Sequence, residues 1–133
     1  MADRLRFKEF VLERLPATRC KAKVVLSLTD DEVWVGQAEG LATQSGELRT
    51  AADACVAALT KAIAGLATLE LLGVKSVRAF DNNVVIVSMA YTEDGKGQRL
   101  VGCFLADTDS ARGAALAVLN ATNRILGNRF FMR

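Results

Sequence analysis

Two stretches decide how this chain reads: LRTAADACVAALTKAI at residues 48–63 and ARGAALAVLNATNRIL at residues 111–126. In the first, Leu48, Ala51, Ala52, Cys55, Val56, Leu59, Ala62 and Ile63 follow the i, i+3, i+4, i+7 period of one helix face. In the second, Ala111, Ala114, Ala115, Val118, Leu119, Thr122, Ile125 and Leu126 do the same. Polar residues fill the opposite sides: Arg49, Asp53, Thr60 and Lys61, then Arg112, Asn120, Asn123 and Arg124. Thr43 or Ser45 is placed to cap the first helix, and Asp107, Thr108 or Asp109 the second. Gly65 and Gly127 follow the stripes, where left-handed C-caps are expected.

The stripes match position by position, Leu48 with Ala111 and Ile63 with Leu126, a spacing of 63 residues. Upstream, Val35-Gly36 resembles Val101-Gly102. A long period of this kind marks an internal repeat.

Outward from the helices the pattern changes to that of strands. Lys21 to Leu28 alternates, with Ala22, Val24, Leu26 and Leu28 on one face. Thr29-Asp30-Asp31 turns the chain, and Glu32 to Glu39 returns as a hairpin partner. In the second half, Ser76 to Phe80 leads into Asp81-Asn82-Asn83, residues that tolerate positive φ. Val84 to Tyr91 is β-branched and apolar, as a central strand is. Glu93 to Gly97 turns again, and Arg99 to Ala106 closes the set. Phe7 to Arg14 fits a short helix or a strand, and the repeat favours the strand; Pro16 ends it.

The expected fold class is therefore α+β. It is a tandem βββα repeat, with two antiparallel three-stranded meanders, each with one amphipathic helix in two-layer packing. The repeats span about residues 6–65 and 68–127 of one domain over 1–133, with a short tail at 128–133. Neither unit can cover its helix stripe alone, so the two must pack together.

Composition narrows the function classes. The chain has 133 residues, 51% hydrophobic, with one proline and a net charge of +2. That supports one sizeable core and argues against disorder. Basic residues cluster early: Arg4, Arg6, Lys8, Arg14, Arg19, Lys21 and Lys23 against Asp3, Glu9 and Glu13. They read as guarded strand edges or as contacts to phosphate or an acidic partner. Phe7 and Phe10 are the only aromatics among these charges, not interleaved in the way a single-strand binder needs, which disfavours nucleic acid. Cys20, Cys55 and Cys103 are widely spaced and there is no histidine, so neither a disulfide framework nor a zinc site is expected. The N-terminus does not read as a secretory signal, and no apolar run reaches the roughly 20 residues that span a bilayer, so a cytoplasmic chain is expected.

The catalytic census is mostly negative. Without histidine no Ser/His/Asp or Cys/His pair exists, and no GxGxxG or GxxxxGK[ST] is present. A non-enzyme without cofactor or metal is expected. Asp107-Thr108-Asp109 reads as a helix cap or as a metal- or amine-binding corner. Gly40 to Gly46, with Thr43 and Ser45, reads as an ordinary loop or as an anion cradle at a helix N-terminus. Cys55 lies on the apolar stripe, as a core thiol would. Trp34 is a core anchor or an interface residue. Phe130, Phe131 and Met132 either fold back or dock on a second subunit.

Leu71 to Leu126 carries a family resemblance. Val74-Lys75-Ser76-Val77, the Val-rich strand, Leu100-Val101-Gly102, Ala106-Asp107-Thr108-Asp109, Ala114-Ala115 and Ala121-Thr122-Asn123-Arg124 follow in order. With the βββα–βββα order, this resembles the C-terminal regulatory domain of 2-isopropylmalate synthase and its citramalate synthase relatives. Where that family has a Gly-Asp-Gly-Pro-like loop before its first helix, this chain has Ala38 to Ser45. The resemblance implies a stand-alone regulatory domain without the catalytic barrel, a homodimer, and a small amino-acid-like or carboxylate effector. The candidate effector residues are Gly40, Thr43, Ser45, Asp107, Thr108 and Asp109; the candidate interface residues are Trp34, Phe130, Phe131 and Met132. The alternative is a protein or nucleic-acid interaction module built on the basic N-terminal strands.

Overall fold

Two meanders and two helices follow one another in the computed structural model, which describes residues 5–131, with side chains through Leu126. The order is β1 (Arg6–Leu15), β2 (Arg19–Ser27), β3 (Val33–Leu41), α1 (Gln44–Ile63), β4 (Thr68–Ala79), β5 (Asn82–Glu93), β6 (Lys96–Ala106) and α2 (Ser110–Phe131). Sheet order is β1-β2-β3 and β4-β5-β6, antiparallel throughout. This is the α+β tandem βββα fold. The ambiguous segment at Phe7 is a strand, paired with β2 and kinked by a bulge between Phe7 and Glu9.

Each sheet turns one face to its helix. In the first, Phe10, Val24 and Gly36 stand in one row, and Leu12, Ala22 and Ala38 in another, all inward. In the second, Leu71, Met89 and Leu100 form one inward row, and Val74, Val87 and Gly102 the next. Each unit is thus a sheet on a helix, and the units meet where α1 packs on α2. The contact is reciprocal: α1 also reaches β4 of the other sheet, and α2 reaches β1. Arg112 of α2 stacks over the Phe7 ring at 5.3 Å, and Asn123 donates to the Leu5 carbonyl at 3.3 Å, fixing the start of the chain to its last helix.

The two glycines flagged by the repeat set the depth of this packing. A Cβ on Gly36 would overlap the Ala54 carbonyl oxygen and the Ala58 amide of α1. A Cβ on Gly102 would overlap the Ala117 carbonyl oxygen and crowd Ala121 of α2. Helix backbone rests directly on sheet backbone at both points. Ala54, Ala58, Ala117 and Ala121 are all fully or nearly fully buried for that reason.

Gly65 takes the expected left-handed conformation after α1 (φ 86°), but the left-handed region begins one residue earlier, at Ala64 (φ 53°). Its N–H already reaches the Thr60 carbonyl at 3.2 Å, so the turn closes early. Gly127 does not end α2, whose backbone runs on to Phe131; one glycine weakens a helix by only about 1 kcal/mol and does not stop it. The supposed tail therefore starts inside the helix. In the β4–β5 hairpin the positive φ values fall on Phe80 (53°) and Asp81 (63°), not on the asparagines. Ala79 pairs with Asn82, which leaves a two-residue turn between them.

Gly36→Ala and Gly102→Ala should each lower stability by about 3 kcal/mol, because packed backbone must move apart to admit the methyl group. Gly97→Ala, whose Cβ meets only Thr92 Oγ1 at 4.0 Å, should stay within about 0.5 kcal/mol. Urea titration of the three variants reads the difference.

A candidate effector cleft at the helix N-termini

The two helices start side by side. Thr43 takes an extended conformation, and its Oγ1 accepts from Gly46 N at 2.9 Å while its carbonyl accepts from Glu47 N at 2.8 Å. Asp109 does the same for α2: Oδ1 accepts from Arg112 N and the carbonyl from Gly113 N, each at 3.0 Å. Both are N-caps, and each holds the first turn of its helix in place.

Two neighbouring hollows open at these starts, with Gln44 and Leu48 lining both. The larger, about 520 Å³, lies between the start of α1 (Thr43, Gln44, Ser45, Leu48) and the edge strand β4 (Val74, Lys75, Ser76). The smaller, about 290 Å³, is shared by both loops: Gln44 and Glu47 on one side, Thr108 and Asp109 on the other, with Arg14 of β1 alongside. There Arg14 Nε meets Glu47 Oε2 at 3.1 Å, with the Glu47 side chain only 16% exposed. This pair ties the end of β1 to the first turn of α1.

The larger hollow is electropositive at one end and apolar along its wall. The first backbone N–H groups of a helix have no partner within it, and the helix dipole favours an anion there. Lys75 adds a full positive charge, while Leu48 and Val74 offer aliphatic surface. A small carboxylate with an apolar tail matches both ends, and 520 Å³ lies within the range of small-ligand sites.

Of the residues singled out from the sequence, the fold brings Thr43, Ser45, Thr108 and Asp109 to this double hollow. Gly40 and Asp107 line neither hollow. Gly40 sits in β3 opposite Cys20, and the space where its Cβ would be is filled by Thr50 Oγ1. Asp107 is exposed beyond the end of β6. Trp34 is half-buried opposite Leu26 and packs against the core from β3. The side chains of Phe130 and Phe131, and Met132 entirely, lie outside the described residues. Val74 and Lys75 lacked any chemical signal in the sequence. They become candidates only because β4 is an edge strand whose flank meets α1.

The chain matches no protein-family model and no curated protein. Among the described residues, no group of three or more His, Cys, Asp or Glu is placed to hold a metal ion. No helix among them is long and apolar enough to cross a membrane. The basic residues of the first sheet are interleaved with acids on its outer face: Lys21 stands between Glu13 and Glu39, and Lys23 Nζ meets Glu9 Oε1 at 3.3 Å.

Cys55 is fully buried, and burial pushes its thiol well above the usual range, only partly opposed by a backbone hydrogen bond at Leu119. In the unfolded chain this thiol ionises near 9.0, whereas in the folded chain it keeps its proton. Above that pH the unfolded state binds fewer protons, so stability falls as pH rises, by up to about 1.4 kcal/mol per pH unit. Cys55→Ala removes this slope. Its stability deficit against the wild type, from urea titrations, should therefore shrink between pH 9 and pH 11. A deficit that does not change with pH would show that the thiol ionises alike in both states.

Proposed function

We propose that this chain is a non-catalytic regulatory domain, of the kind found at the C-terminus of 2-isopropylmalate synthase, that binds a small carboxylate effector with a branched aliphatic tail. The site is the larger hollow at the start of α1. One observation carries the reading: the capped N-terminus of α1, Lys75 of β4 and the Leu48–Val74 wall share one cleft of about 520 Å³. The carboxylate lies on the Gln44 and Ser45 amides with Lys75 beside it, and the tail lies on Leu48 and Val74. The βββα–βββα order supports the family comparison, since it places the loops before both helices at one end of the molecule.

Calorimetric titration with leucine, isoleucine, valine and their 2-oxo acids tests this. One site per chain is expected for at least one of them. At a hundredfold excess over its Kd that ligand raises unfolding stability by about 2.7 kcal/mol. Lys75→Glu should weaken binding at least tenfold, about 1.4 kcal/mol, with the circular dichroism spectrum unchanged. Val74→Trp, which fills the apolar wall, should do the same. Absence of saturable heat from all six ligands up to about 5 mM, where even a millimolar site fills, would overturn the reading.

A further inference from the structure

The outer faces of the two sheets differ in kind. On the first sheet the outward rows are Arg6–Ser27–Val33, Glu9–Val25–Val35, Val11–Lys23–Gln37, Glu13–Lys21–Glu39 and Leu15–Arg19–Leu41, and each carries at least one charge, as a solvated face does. On the second they are Val77–Val84–Leu105, Lys75–Ile86–Cys103, Gly73–Ser88–Val101 and Glu70–Ala90–Arg99. Three of these four rows are apolar or small across β5 and β6. Leu105 is 54% exposed and Val101 55%, although β-branched and leucine side chains on a sheet face are ordinarily covered. Lys75 sits on the edge strand and lines the cleft beside α1, leaving the middle of the face to Ile86 and Cys103. At the end nearest Val77 and Val84 the hairpin tip carries Phe80, 96% exposed and held at φ 53°. A bulky aromatic in the left-handed region, with its ring in water, is strained and uncovered at once.

We propose that this face is the docking surface for a second copy of the chain, stacked face to face about a two-fold axis that runs along the strands. The charges select that arrangement. Glu70 and Arg99 lie at opposite edges of one row, on β4 and β6, and neither forms a salt bridge among the described residues. A two-fold axis along the strands lays β4 of one copy over β6 of the other. Each Glu70 then faces an Arg99, twice per dimer. The same operation lays Val77 over Leu105, Gly73 over Val101, Lys75 over Cys103 and β5 over β5, so the apolar residues of the central strand meet their own kind. The alternative axis, across the strands, lays β4 over β4 and sets the apolar end of each copy on the charged end of the other. A two-fold interface must be self-complementary, and this face meets that condition in one of its two settings.

The area is sufficient. Three strands of about eleven residues make a face about 36 Å long and about 14 Å wide. That is about 500 Å² per copy, or about 1,000 Å² in all, the lower bound for a specific interface, before Phe80 adds its ring. Stacked sheets pack with strands aligned to within about 30°, as this setting requires. Lys75 borders both surfaces, but the residues that test the dimer, Glu70, Arg99, Val101 and Leu105, do not line the cleft, so either proposal can fail alone.

Sedimentation velocity across about 1–100 µM, the range where an interface of this size populates a dimer, is the test. The wild type should sediment at twice the 14.3 kDa chain mass. Leu105→Lys and Val101→Glu, both outward and exposed, should give folded monomers by circular dichroism. Val11→Lys, on the outer face of the first sheet, should leave the dimer unchanged. Glu70→Arg should weaken association about fivefold or more, and Glu70→Arg with Arg99→Glu should restore it. Cys103, exposed in the single chain, should react with a maleimide more slowly in the wild type than in Leu105→Lys. A wild type that stays monomeric at 100 µM, or a Leu105→Lys variant that stays dimeric, overturns the proposal. Failure of the charge exchange to restore association overturns the β4-over-β6 setting.

Discussion

The fold depends on backbone lying on backbone. At Gly36 and again at Gly102 the sheet offers no side chain, and a helix settles until its own carbonyl and amide groups touch the strand. Close packing of this kind leaves no space for larger residues on the helix, which is why Ala54 and Ala58, and Ala117 and Ala121, face the glycines. Small side chains contribute little burial each. The core compensates through the second contact of every helix, against the other helix and the first strand of the other sheet. Neither unit is covered without its twin, so the repeat is a requirement of the packing as well as a pattern in the sequence.

That depth also fixes where the helices begin. Both start from a loop that leaves the third strand of its meander, and both are capped by a side chain that bonds the amide three residues on. Because the helices lie against each other, their N-termini come together at one end, and the loops before them share a hollow. The larger hollow acquires its aliphatic wall and its lysine from β4, the strand that α1 touches across the boundary between units. The candidate site is thus a consequence of reciprocal packing. Each unit supplies one half of it.

The units agree inside and diverge outside. Their inner faces must accept equivalent helices at equivalent glycines, so Gly36 and Gly102 occupy the same place. Their outer faces are under no such constraint. One alternates acids with lysines, and the other carries Val84, Ile86, Val101 and Leu105. An approximate internal symmetry that stops at the surface gives one molecule two different faces to present.

The sequence by itself determined the helices, the repeat and the sheet pairing order, because each is written locally: an i, i+3, i+4 stripe, a spacing of 63 residues, turn residues between β-branched runs. It also marked Thr43, Ser45, Thr108 and Asp109, since capping chemistry is local too. It misplaced the ends. Gly65 is left-handed as its type suggests but Ala64 enters that region first, and α2 passes through Gly127, because helix ends answer to hydrogen bonds already formed and not to residue type alone. It missed the early half of β4, where Thr68 to Lys75 alternates poorly around the bulge after Leu71. Only the tertiary structure showed that Gly40 makes room for Thr50 and that Lys75 and Val74 border the start of α1. Only it showed that one sheet turns an apolar face outward. Those are facts about which surfaces meet, set by contacts between residues far apart in the chain, and no local pattern encodes them.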